Sequence, residues 1–171
     1  VMSNPLKPAS ADTIRYLQKR GIKVIVISGD NERTVRAIAD QVGLIHNKKN
    51  TSGTQVEHLT DAELTTSIQQ GNLFSRILPS QKERIVRLAQ KSGLVAMIGD
   101  GANDALAIKS ADVGIAMFSG APATRQIADV VLVNDSFAAL PKGIVLSDTI
   151  ITTLEMVASL FFSRVWTGLF L

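Results

Sequence analysis

The chain has 171 residues, 46% hydrophobic and 19% charged, which supports one packed domain with room for an appendage and excludes an intrinsically disordered chain. A net charge of only +3, with one Tyr, one Trp and no basic run interleaved with aromatics, excludes a nucleic-acid-binding surface. The absence of cysteine excludes disulfides and thiolate metal sites.

The start, VMSNPLKPAS, has no charged segment followed by an apolar one, so it is not a signal peptide. It also lacks Met at position 1, and a piece of a longer polypeptide is the expectation. Residues 9–20 read as a helix ended by Gly21. KVIVIS, residues 23–28, is a β-branched run suited to a buried parallel strand. Asn31 to Val42 is helical, with Val35, Ile38, Ala39 and Val42 on one face. Residues 45–58 are polar and read as a loop. Asp61 to Gln70 is a weaker helix, and LFSRIL, residues 73–78, a strand. Ser80 to Gln90 is a helix with Ser80 and Glu83 as a capping box. LVAMIG is a strand, Asn103 to Lys109 a short helix, and DVGIAM and DVVLV are further strands. Repeated strand–helix–strand units imply an α/β fold, a parallel sheet flanked by helices. Residues 156–171, MVASLFFSRVWTGLFL, are apolar apart from Arg164. They fit either a buried C-terminal helix or the start of a transmembrane helix, with Trp166 near an interface.

In such a sheet, ligands collect beyond the carboxyl ends of the strands. Three segments place unusual polar residues there. In ISGDN, Ser28 ends a strand and Gly29 allows close backbone approach. Asp30 or Asn31 could simply cap the next helix, which leaves Ser28–Gly29 unexplained. In LPSQKERIV, Lys82 lies in the first turn of a helix, where the dipole opposes a cation. It is either a solvated surface lysine or the partner of a phosphate or carboxylate. In MIGDGAND, Asp100 follows a strand between Gly99 and Gly101, and Asn103 and Asp104 open the next helix. A cap explains Asn103 or Asp104, but not both together with Asp100. Hard oxygen donors at this density suit Mg²⁺ held against a phosphate.

GDGANDALAIKSADVGIAM, residues 99–117, closely resembles the hinge signature of the P-type ATPases, ion pumps phosphorylated on aspartate. SGDN resembles the family's TGD motif with Ser28 in the threonine position, and RILPSQK its RxxPxxK segment. Asn4-Pro5-Leu6-Lys7 is similar to the start of its DPxR motif. The four stand in the family's order over nearly the whole chain. The resemblance implies a haloacid-dehalogenase-like (Rossmann-type) phosphorylation domain, missing its first strand, over residues 1–143. Residues 144–171 would form a stalk and the start of a transmembrane helix. By position, Ser28 would hydrogen-bond the phosphoryl group and Lys82 would neutralise it. Gly29, Asp30 and Asn103 would line the phosphate or nucleotide. Asp100 would bind Mg²⁺, and Asp104 would support the metal and the lysine. ATP and Mg²⁺ would be the ligands, and the parent a multi-pass membrane protein with this portion cytoplasmic apart from its C-terminal segment. NDSF, residues 134–137, and the tail lean towards a calcium-type or general cation.

The departures are specific. The family's phosphorylated aspartate lies in DKTGT, and neither that motif nor any D-x-D pair occurs here. The family's nucleotide-binding domain, inserted between DKTGT and DPxR, has no counterpart. Asn4 and Lys7 replace Asp and Arg, Leu106 stands where proline is frequent, and Phe118 where glycine is. A chain of this content is expected to be unable to phosphorylate itself. A soluble phosphatase of the same fold would need its own nucleophile, and none is found. A receiver-like signalling domain would place its acidic pair before the hydroxyl, whereas the order here is Ser28, Lys82, Asp100. A non-catalytic regulatory fragment remains as the third alternative.

Overall fold

The computed structural model describes residues 9–47 and 49–169, with side chains from Ser10 to Ser159. The segment Asn4–Lys7 and the side chains of Arg164 and Trp166 lie outside the described residues. The chain divides into two compact units, Val1–Phe137 and Ala138–Leu171.

Among the described residues, the first unit holds six short parallel strands in two sheets. Strands β1 (Val26–Ile27), β2 (Asn50–Ser52) and β3 (Leu73–Ser75) form one sheet, in the order β1-β3-β2. Strands β4 (Ala96–Gly99), β5 (Val113–Met117) and β6 (Val130–Leu132) form the other, in that order. Each sheet therefore has an outer strand, β1 or β4, paired on one side among the described residues. These are the two strands that lead into the SGDN and GDGAND turns.

Side-chain alternation along β3 sorts the first sheet's helices. Leu73 packs with Val35, Ala39 and Leu44, so α1 (Ala9–Lys19) and α2 (Glu32–Gln41) cover that face. Phe74 points the other way, into Val56, Leu64, Ile68, Ile85 and Leu88. These come from α3 (Gly53–His58), α4 (Asp61–Gln70) and α5 (Pro79–Ala89). Helix α5 also serves the second sheet. Its Val86 packs with Met97, Ala107 and Ile108, the last two from α6 (Ala105–Ser110). One helix thus buries adjacent positions, Ile85 and Val86, in the cores of both sheets.

Three local expectations are corrected. Residues 45–58 are not a loop: they hold β2 and α3, whose start is closed by Ser52 and Gln55 as a capping box. Helix α5 begins at Pro79 rather than Ser80, because Pro presets the first helical φ and the Gln81 side chain accepts from Leu78 N–H at 3.0 Å. Glu83 therefore makes no box with Ser80; its carboxylate takes Arg87 and the Ser110 hydroxyl. A further helix, α7 (Pro122–Ile127), fills a stretch where no element was expected.

The second unit contains α8 (Ala139–Leu169). Val145, Leu146, Ile150, Ile151, Leu154, Met156 and Val157 are exposed along it. The hydroxyls of Ser147, Thr149, Thr152 and Thr153 all bond to carbonyls one turn back. Among the described residues no helix is long and apolar enough to cross a membrane.

Candidate functional site

Strand β1 runs straight into the first polar turn. Asp30 N–H donates to Ser28 Oγ, which donates back to Asp30 Oδ2, both at 3.1 Å. The capping role falls to Asn31, whose side chain accepts from Thr34 N–H at the start of α2. Asp30 is thereby released from capping and stays in the exposed turn with Ser28 and Gly29. The exit of β3 crosses beneath this turn. Ile77 N–H donates to Ser28 O at 3.0 Å and Arg76 N–H to Asp30 O at 2.8 Å. Arg76 adopts φ +53, a left-handed turn that ends β3 and aims the chain into α5.

Helix α5 carries Lys82 towards the second turn. Lys82 Nζ lies 2.5 Å from Asp104 Oδ1, and the two side chains are 12% and 11% exposed. Lys82 is therefore the partner of a carboxylate and not a solvated surface lysine. Burial of Ile85 and Val86 draws the first turn of α5 inward, and the lysine reaches along it to the acid. The carboxylate thus compensates a cation that the helix dipole opposes.

The GDGAND turn is folded around Asp104. Asp104 N–H donates to Gly101 O at 3.0 Å, and Gly101 N–H donates to Asp104 Oδ2 at 3.4 Å. A 3-10 turn over Ala102–Asp104 results, leading directly into α6. A Cβ on Gly99 would lie 2.6 Å from the Asp104 Cβ, so only glycine leaves the carboxylate its place. Gly29 has no such constraint, since its nearest contact would be 3.9 Å away. Asp100 and Asn103 differ from Asp104: both are exposed, and neither side chain has a hydrogen bond or ion pair among the described residues. The carboxylate of Asp100 and the carboxamide of Asn103 thus remain available in the turn whose Asp104 holds the ammonium.

The candidate residues therefore form two groups. Asp100, Asn103 and Asp104 share one turn, to which Lys82 is joined by its ion pair with Asp104. Ser28, Gly29 and Asp30 form the other turn. No hydrogen bond or ion pair links Ser28 or Asp30 to Lys82, Asp100 or Asp104 among the described residues. The turns are connected instead through the backbone of residues 76–77 and then α5. No group of three or more His, Cys, Asp or Glu side chains that could hold a metal ion occurs among the described residues; a metal at the GDGAND turn would take few protein ligands. Mg²⁺ is such a metal, because it keeps several waters and takes one or two carboxylates plus phosphate oxygen. The free Asp100 carboxylate, flanked by a carboxamide and a lysine-bound acid, fits that donor chemistry.

Sequence reasoning missed the support beneath the turn. Ala121 N–H donates to Asp100 O at 2.8 Å, and the Thr124 hydroxyl donates to Gly101 O at 3.1 Å. A Cβ on Gly120 would fall 2.4 Å from Asp100 O. The dipeptide Ser119–Gly120 before Pro122 is a turn signal that could have pointed to it.

Family models described as haloacid dehalogenase-like hydrolase match residues 2–112 and residues 85–144. The calcium-transporting ATPase CtpE of Mycobacterium tuberculosis is 38% identical over 165 residues, covering 96% of this chain and 20% of that protein. The magnesium-transporting ATPase, P-type 1, of Salmonella typhimurium is 36% identical over 171 residues, covering 97% of this chain and 19% of that protein. Among solved structures, a zinc-transporting PIB-type ATPase in an E2.Pi state superposes with a TM-score of 0.69 and 28% identity, over 89% of this chain and 21% of that one. The chain spans about a fifth of the length of the curated relatives it matches.

Proposed function

Since the chain belongs to the haloacid dehalogenase-like hydrolases, we propose that it is the Mg²⁺- and phosphate-binding hinge of a phosphorylation domain in an ATP-driven cation pump. The observation that carries this reading is the Lys82–Asp104 pair, buried at a turn whose Asp100 and Asn103 side chains have no partner among the described residues. Lys82 holds a positive charge at the carboxyl edge, where the transferred phosphoryl group and an attacking aspartate would meet. Asp104 keeps that ammonium in place and adds its charge to the metal site. Asn103 is free to donate to a phosphate oxygen. Ser28 has a hydroxyl proton that can turn from Asp30 to the phosphoryl group, with Gly29 and Asp30 bordering it. Bound Mg²⁺, held by Asp100, would neutralise phosphate charge and fix the phosphate's orientation. Transfer of this kind depends on positioning and charge neutralisation.

The aspartate nucleophile and its strand are not among these residues. In such a domain that strand would pair with outer strands such as β1 and β4, each paired on one side among the described residues. Relatives named for calcium and magnesium transport support a hard divalent cation as cargo. The apolar α8, with its hydroxyls internally satisfied, supports the stalk and the beginning of a membrane helix. The portion before it would then face the cytoplasm.

Magnesium titration of the chain, followed by amide chemical shifts of residues 99–104, tests the reading. Saturable shifts that vanish in Asp100→Ala are expected. Equal Mg²⁺ response in wild type and Asp100→Ala would remove Asp100 from the metal site.

A further inference from the structure

Thr124 is wholly buried, yet its side chain is polar. Its hydroxyl has a specific destination, the carbonyl of Gly101 at 3.1 Å. That carbonyl already accepts Asp104 N–H, the bond that closes the 3-10 turn. One residue earlier, Asp100 O accepts Ala121 N–H. Two successive carbonyls of the acid turn are thus tied down from the start of α7. Gly120 makes the approach possible, because any side chain there would collide with Asp100 O.

Resting on the metal and phosphate roles given above to Asp100 and Asn103, we propose that Thr124 is a positioning residue that holds the Gly101 carbonyl and so fixes the turn presenting those two side chains. The physical reason lies in what else holds them. Asp104 is fixed by Lys82, but Asp100 and Asn103 have no side-chain partner among the described residues, so their backbone sets their direction. Asp100 lies directly before the bonded Gly101, and Asn103 lies within the turn that this carbonyl closes. Thr124 touches neither metal nor phosphate; it acts through Gly101. Groups that orient metal ligands in this indirect way change affinity by about 10–100-fold when removed.

Thr124→Val keeps the shape and removes the hydroxyl. Amide exchange and Mg²⁺ titration of the chain are the readouts. The expected result is that exchange at Asp104, whose N–H bonds the Gly101 carbonyl, rises relative to amides of β5, and that the Mg²⁺ concentration for half-maximal shift rises by about tenfold. A role confined to packing would move β5 and the turn together. Thr124→Ser and Thr124→Ala form a second pair that differs only in the hydroxyl; Ser is expected to behave as wild type and Ala as Val. Unchanged relative exchange in Thr124→Val, or equal behaviour of Ser and Ala, would overturn the proposal. If Mg²⁺ shifts no amide even in wild type, the metal role of Asp100 fails, and the exchange comparison alone decides for or against Thr124.

Discussion

Replacing Lys82 by Met keeps most of the side chain's length and removes its charge. The ammonium it removes is 2.5 Å from Asp104, in a pair whose side chains are about nine-tenths buried. Breaking a fully buried pair by deleting one partner costs about 3–5 kcal/mol, because an uncompensated charge is left behind. Two features reduce that here. Both side chains keep some solvent contact, and Asp104 Oδ2 retains the Gly101 N–H. The expected loss is therefore about 2–3 kcal/mol. With a urea slope of about 2 kcal/mol per molar, the unfolding midpoint falls by about 1–1.5 M. Asp104→Asn alone strands the lysine instead and should also destabilise. The double variant strands no charge, so its loss should be smaller than the sum by about 1–2 kcal/mol. Urea unfolding of all four proteins measures this cycle. Strictly additive losses, or a Lys82→Met midpoint within about 0.2 M of wild type, would show that the pair is a solvated contact and not the anchor of the turn.

Gly99→Ala should cost about 1–3 kcal/mol by overpacking and should displace Asp104 from Lys82, so the ion-pair cycle measured in that background should lose its coupling. Thr60 holds the Glu63 carboxyl below its ordinary value of 4.5 through side-chain and backbone hydrogen bonds. A depressed carboxyl contributes stability above its unfolded value and loses it as pH falls through the folded one, so the protection factors of the α4 amides, each referred to the intrinsic exchange rate at that pH, should fall as pH drops below about 4.5, and Glu63→Gln should flatten that response. The chain by itself should release no phosphate from ATP and trap no acid-stable phosphoenzyme, since no DKTGT motif is present; turnover abolished by a substitution within the chain would refute this. In a longer polypeptide that contains the nucleophile, Asp100→Ala should reduce Mg²⁺-dependent phosphoenzyme labelling by several kcal/mol of transition-state stabilisation, that is, by about a hundredfold or more.

Elements with a strong period were legible, and those resting on one residue were not. KVIVIS and DVGIAM are dense in β-branched residues, and the structure places β1 and β5 within them. Residues 45–58 have only Ile45 and Val56 as large apolar residues, too few to show a period. Val56 is nevertheless fully buried, and it anchors α3 to the core under Phe74. The Ser52–Gln55 spacing was the available signal. At the site, Asp100, Asn103, Asp104 and Lys82 stood out because charged and amide groups at strand ends are chemically conspicuous. The burial of Lys82 did not, because it depends on how α5 is shared between two cores. Thr124 was invisible for a similar reason: nothing local distinguishes a threonine that bonds a carbonyl 23 residues away from one on a helix surface.

The two turns have separate origins in the chain, and helix α5 connects them. Its N-terminal end is fixed by β3, whose exit residues bond the Ser28–Asp30 turn. Its middle is fixed by Ile85 and Val86, each in a different core. Lys82 sits between these anchors and bonds the acid of the other turn. A movement of β4 relative to β1 would therefore act on the lysine from both ends: through the backbone of residues 76–77 on one side and through Asp104 on the other. Among the described residues, no strand hydrogen bonds link the two sheets, so α5 carries much of this coupling. The Lys82–Asp104 pair is thus a structural joint as well as a charge at the site, which is why its removal should register in unfolding as well as in chemistry.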